Sequence, residues 1–509
     1  MINRRKFAAR VLVQSLALAL AAAGTLAAAS AQTEDKPYVS PIFSSNMVLQ
    51  RKIPVPVWGW AQPGQKVTVS IEGRTAAATA GDDGKWIAKL QPLPVGGPYK
   101  MRIEGPQQTV TLENILVGDV WICSGQSNME MGIGNVNDAQ KEISEANNPQ
   151  IRLYTVKKKV AYEPQTSLMR TDTDLMGQWS VCSPATVKTG GWGGFSAVAY
   201  FFGRKLQQDL KVPIGLIHTS WGGTIAEAWT SAEALQAMPD FKPAVDKLTT
   251  MKANPGSGKQ DNNPNVVTVL YDGMIAPLIP YGIKGAIWYQ GESNAGRAYQ
   301  YRTLLPTMIR DWRTRWGEGD FPFFIVQLAN FQKSSNVPAD DAWAELREAQ
   351  SMTARNLPNT GIAVTTDIGD AADIHPKNKQ DVGKRLALSA EAIAYGQKVE
   401  YSGPAYKSMK AIDHGGAIRL SFDHVGGGLV AKNDALTGFA IAGEDKKFVW
   451  AEAKIVGNSV VVSSVQVPHP VAVRYAWHTN PENSLYNKAG LPASSFRTDD
   501  WPGITANNR

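Results

Sequence analysis

Between residue 115 and about residue 397, five apolar runs of strand length alternate with segments of helical character. The runs are 115–122, 212–218, 283–289, 323–328 and 361–366, with helical stretches such as 195–210, 298–315 and 342–354 between them. Near-continuous Val/Ile/Leu runs belong to strands buried on both faces. Their alternation with helices predicts a parallel α/β layer fold. Each run stops at polar residues: Ser124 and Ser127 after the first, Ser220 to Thr224 after the second, Gln290 to Asn294 after the third, Asn330 after the fourth, Asp367 and Asp370 after the fifth. Strand ends in such a sheet line one edge, so these groups can meet in one pocket. The polar stretch 238–265 reads as surface loop around short helical pieces.

The flanks have a different texture. Over 37–114, short alternating runs such as Val67, Val69 and Ile71 are separated by turns at Gln62-Pro63-Gly64 and Gly81-Asp82-Asp83-Gly84, which predicts a small β-sandwich. From 398 onward, runs at 417–422, 459–463 and 471–477 mark a C-terminal β-rich region, and the tail beyond them has no period. Residues 1–31 carry a basic start with the pair Arg4-Arg5, an apolar stretch and the small triplet Ala29-Ser30-Ala31. That is an export signal similar to the twin-arginine type, and the mature chain is expected to begin near Gln32, periplasmic or secreted. The expected division is therefore 1–31 signal, 32–114 N-terminal β-sandwich domain, 115–397 catalytic domain and 398–509 C-terminal β-rich region. Removing Arg4, Arg5, Lys6 and Arg10 from the +7 total leaves +3, which gives no argument for a nucleic-acid partner. No later stretch is long and apolar enough to span a bilayer. The cysteines are Cys123, expected buried, and Cys182, expected in a loop, and no essential disulfide is expected between them. Neither CxxC nor HExxH spacing occurs, so no metal is expected.

Ser127, just past the first run, and His375, in Asp373-Ile374-His375-Pro376, are the candidate nucleophile and base. A serine hydroxyl needs an adjacent base, and that base needs an orienting acid. Asp373, two residues before the histidine, is the expected acid, with Asp370 as runner-up. His218 reads as a core histidine. Ser293 is a rival serine, in a sequence close to the Gly-x-Ser-x-Gly elbow but ending in Ala295. Two other functions remain open on the residues alone: a non-catalytic carbohydrate-binding protein, and a glycosidase with paired carboxylates at Glu227 and Glu292. Trp221, Trp229 and Trp288 suit either stacking on sugar rings or core packing.

The blocks 125–130 (Gly-Gln-Ser-Asn-Met-Glu), 220–224 (Ser-Trp-Gly-Gly-Thr), 288–295 (Trp-Tyr-Gln-Gly-Glu-Ser-Asn-Ala) and 373–376 (Asp-Ile-His-Pro), in that order, resemble the sialate O-acetylesterase family of SGNH (GDSL-like) hydrolases. The resemblance runs from about Pro37 to the C-terminus. It implies a flavodoxin-like α/β/α sandwich and a serine acyl-enzyme mechanism that removes O-acetyl groups from sugars, without cofactor or metal. It places the nucleophile on Ser127 and the base on His375. The oxyanion hole falls on the Ser127 and Gly223 N–H groups and a side-chain amide, Gln290 or Asn294. Trp221, Glu292 and Trp288 are the expected substrate contacts. Many SGNH enzymes carry the acid three residues before the histidine, where this chain has Ala372. Sialic acid and acetylated plant polysaccharides such as xylan or xyloglucan are both open as substrates, and so is the oligomeric state.

Overall fold

A computed structural model describes residues 36–170, 175–253 and 262–509. The expected export signal lies outside these residues. The centre is a sheet whose strands lie in the order Thr360–Ala363, Phe323–Val326, Gly285–Tyr289, Thr109–Gly125, Ile214–Ser220, Asn148–Thr155, Ser180–Cys182. All neighbours pair parallel except the last, a short antiparallel edge strand. All five expected runs overlap strands of this sheet. Two strands escaped the sequence reading. Asn148–Thr155 carries Arg152 where an apolar residue would be expected, because the buried guanidinium donates to the carbonyls of Asn46 and Asn114. Ser180–Cys182 is too short to show a period, and it places Cys182 in a strand rather than in the expected loop. Both cysteines are buried and free.

Helices cover both faces. Trp121 points to one side and meets Phe202 of the helix Ala197–Leu210. Trp288 pairs in register with Ser124, on the alternate side, and meets Trp312 of the helix Ala298–Trp316. The helix Lys379–Ile393 packs beside Ala197–Leu210, and Ala342–Asn356 beside Ala298–Trp316.

The strand Thr109–Gly125 spans 17 residues and serves two sheets. Its first half pairs with Gly96–Glu104 of the N-terminal β-structure, and its second half joins the central sheet. The expected boundary at 114/115 falls inside this strand, and one hydrophobic cluster runs from Ile42 to Ala390. The C-terminal β-structure has its own core around Leu420, Phe439, Val473 and Tyr475. The tail is built into it by the strands Leu485–Asn487 and Phe496–Arg497. Within 238–265, the helix Lys242–Ala253 is longer than the expected short pieces. Among the described residues no helix is long and apolar enough to cross a membrane.

Candidate active site

Thr109–Gly125 lies where the chain changes direction across the sheet, first toward Asn148–Thr155 and later toward Gly285–Tyr289. Such switch points open a crevice at the strand ends. In register, Gly125 lies between Ser220 and Tyr289, so the segments after all three strands emerge side by side. Gly125 has φ +138°, and a Cβ there would fall 2.1 Å from the Tyr289 carbonyl oxygen. Only glycine turns the chain here. Ser127 then opens a one-turn helix, Ser127–Glu130. Its Oγ lies 2.9 Å from His375 Nε2.

His375 Nδ1 is 3.3 Å from Asp373 Oδ1, slightly beyond the usual range of about 2.7–3.2 Å. The same oxygen accepts the His375 backbone N–H at 2.9 Å, and the Asp373 side chain is 48% exposed. Burial holds the His375 pKa below its ordinary value; Asp373 opposes this and Lys379 adds to it. Asp370 is turned into its own loop, where its carboxylate accepts the Ala372 N–H.

The two candidate amides have different partners. Gln290 is fully buried; its Nε2 donates to the Thr224 carbonyl at 3.1 Å and to Asn294 Oδ1 at 2.6 Å, which uses both hydrogens. Asn294 Oδ1 also accepts the Ala226 N–H at 3.0 Å, so the amide orientation is fixed. Asn294 Nδ2 donates one hydrogen to Glu227 Oε2 at 2.9 Å. Its second hydrogen has no acceptor among the described residues. The same holds for the backbone N–H groups of Ser127 and Gly223. Glu227 is occupied on its other oxygen by Arg297.

Asn128, which the sequence reading did not single out, ties these segments together. Its Nδ2 donates to Glu292 Oε1 at 2.6 Å and to the Ile374 carbonyl at 3.0 Å, and its Oδ1 accepts from Lys379 Nζ. The residue after the serine therefore holds the loop that carries the histidine. Lys379 is fully buried, and burial pushes its pKa down to about 7. Burial raises the pKa of Glu292, whose Oε2 is sealed from solvent and has no hydrogen-bond partner among the described residues. Glu292 thus has one oxygen bound to the Asn128 amide and the other turned away from solvent. Glu130 accepts the Gly222 N–H at 2.6 Å and the Lys158 ammonium at 2.6 Å, fixing the glycine loop beside Ser127.

Of the expected aromatic contacts, Trp288 is not at the site: it is fully buried between Trp229 and Trp312. Trp229 is equally buried. Trp221 is half-buried, with the Lys158 ammonium 5.2 Å from its ring centre. Trp192 was missed. It is 43% exposed, and its ring meets the His375 imidazole edge-on at 4.9 Å between centres. The paired glycines on either side of it were the available signal. His218 is a core histidine: it is buried, with its pKa pushed down to about 4 by burial. Ser293 sits in the short turn Glu292–Arg297 with no base on its hydroxyl among the described residues.

The family model described as carbohydrate esterase, sialic acid-specific acetylesterase, matches residues 117–392. The chain belongs to this family. The sialic acid-specific acetylesterase match covers the central sheet and the segments that carry Ser127, Asn294 and His375. The sialate O-acetylesterase of Homo sapiens is 32% identical over 507 residues, covering 91% of this chain and 94% of the human protein. That of Mus musculus is 31% identical, covering 88% and 92%. A crystal structure of a carbohydrate acetylesterase from Xanthomonas citri is 40% identical and superposes with a TM-score of 0.81, covering 91% of this chain and all of that one. The protein is an esterase, which sets aside the glycosidase and non-catalytic readings.

Proposed function

We propose that the protein is an exported carbohydrate O-acetylesterase with an SGNH-type, flavodoxin-like core, working through an acetyl-enzyme on Ser127. The observation that carries this reading is the 2.9 Å contact between Ser127 Oγ and His375 Nε2 at the edge of the sheet. Ser127 Oγ attacks the acetyl carbonyl as His375 Nε2 takes its proton. The carbonyl oxygen becomes an oxyanion, received by the Ser127 and Gly223 N–H groups and the uncommitted hydrogen of Asn294. Such donors act most strongly where charge develops in a water-poor site. Collapse breaks the bond to the sugar oxygen, which leaves with the proton from Nε2. Water then attacks the acetyl-enzyme with the same base, and acetate is released. Asp373 supports the imidazolium from its solvent-facing side. Nucleophile and electrophile are both activated by protein groups, so this route calls for no cofactor.

The substrate is an O-acetylated sugar: sialic acid, in keeping with the mammalian relatives' name, or an acetylated plant polysaccharide such as xylan or xyloglucan. Acetate released from a panel of such glycans by the purified enzyme tests the reading. Turnover of at least one member supports it, and inactivity on every member while non-sugar esters are cleaved would refute it. Export is proposed from Arg4-Arg5 and Ala29-Ser30-Ala31. N-terminal sequencing of the secreted protein should begin near Gln32, and finding Met1 there would overturn that part.

A further inference from the structure

Trp192 stands between two pairs of glycines, Gly190-Gly191 and Gly193-Gly194, all four with positive φ, at +90°, +34°, +80° and +108°. Such a run could be a floppy loop, but this one is clamped. The Trp192 carbonyl accepts the Gly132 N–H at 2.8 Å and the Asn135 side-chain amide at 3.2 Å, and the Gly193 carbonyl accepts the Gly134 N–H at 2.9 Å. The two segments touch so closely that a Cβ on Gly132 would fall 2.4 Å from the Gly193 carbonyl carbon, and one on Gly193 would fall 1.9 Å from the Asn135 amide nitrogen. Gly132–Asn135 directly follows the helix that Ser127 opens. The backbone that carries the indole is therefore held relative to the serine, and the ring itself rests on His375 while much of it is open to solvent.

We infer that Trp192 is the platform on which the sugar ring of the substrate rests; this builds on the serine-esterase reading of Ser127 and His375. The oxygen that leaves must come within about 3 Å of His375 Nε2 to receive its proton. The first sugar carbon is one bond beyond that oxygen. The Trp192 ring packs against the same imidazole, at 4.9 Å between centres and 78° between planes. A pyranose held by the leaving oxygen thus comes down within a ring's width of the indole. An indole offers a broad, rigid apolar face, suited to the C–H face of a pyranose. The other tryptophans considered for this role are less suited, since Trp229 and Trp288 are buried and Lys158 stands over Trp221. Trp192 reads the alcohol side of the ester, and the oxyanion donors read the acetyl side.

The test compares the purified full-length chain with Trp192→Ala and Trp192→Phe on two substrates, an O-acetylated methyl pyranoside and ethyl acetate, with released acetate as the readout. The ratio of kcat/KM for the pyranoside over ethyl acetate should fall about 10-fold or more in Trp192→Ala, mainly through KM. Trp192→Phe should retain more of that ratio. An unchanged ratio in Trp192→Ala, with or without a loss common to both substrates, would overturn the inference, because Trp192 would then act only through His375. Ser127→Ala matching the wild-type rate on both substrates would instead bring down the underlying serine reading, and the platform with it.

Discussion

Gln290 and Asn294 lie four residues apart at the same sheet edge, and hydrogen-bond arithmetic separates them. Gln290 has both amide hydrogens committed, and Asn294 has one to spare. Losing an oxyanion donor typically costs about 2.7–4 kcal/mol in the barrier. Asn294→Ala should therefore lower kcat by about 10²–10³ with KM little changed, and Gln290→Ala should lose less. Steady-state kinetics checks the order, and a larger loss at Gln290 would reverse the assignment. His375 provides a second prediction. Its pKa lies below the ordinary imidazole value of about 6.5, and the neutral form is the base. Activity should thus survive into mildly acidic solution, with the acid limb of kcat/KM centred below that value. Asp373 raises the His375 pKa, so Asp373→Asn should move the limb to still lower pH. A shift to higher pH would contradict this.

The element scale brings in packing. Gly383, inside the helix Lys379–Ile393, faces the helix Ala197–Leu210; a Cβ there would meet Phe201 Cβ at 2.5 Å and the Phe202 nitrogen at 2.7 Å. Helix propensity alone favours alanine by up to about 1 kcal/mol. Overpacking against a backbone that cannot retreat costs about 1–3 kcal/mol and wins. Gly383→Ala should lower the urea midpoint, and a rise would mean that the helices part freely. The sequence reveals some elements and hides others for related reasons. The five central runs are legible because both faces of a parallel strand are buried, so apolar residues dominate them and only single polar residues such as Asp119, Lys284 and Gln327 interrupt them. Asn148–Thr155 is hidden because Arg152 spends its hydrogen bonds on the carbonyls of Asn46 and Asn114, which lie far away in the chain. The helix that supplies Lys379 shows no sign of its role, since the lysine finds Asn128 251 positions away. Ser127 and His375 stand out because each lies in a short polar block after an apolar run, whereas the contacts that hold them are long-range.

Across the whole molecule, one buried arginine stitches the catalytic region to the C-terminal β-structure. Arg347, in the helix Ala342–Asn356, donates to the carbonyls of Leu328 and Ala329 on its own side and of His478 and Thr479 on the other. Asp341 with Thr479, Arg474 with Asp340 and Arg497 with Glu348 add to the seam. Arg347→Met would leave buried carbonyls without donors, at about 1–3 kcal/mol each. The wild type should melt in one calorimetric transition, and Arg347→Met should melt several degrees lower. An unchanged melting temperature would show that the seam carries no load. The central claim, however, concerns the pairing of Ser127 with His375, and it is tested most directly by the rate of acetate release from an O-acetylated sugar by Ser127→Ala. A loss of several orders of magnitude, with the fold intact by circular dichroism, is the predicted result; turnover near the wild-type rate would contradict it.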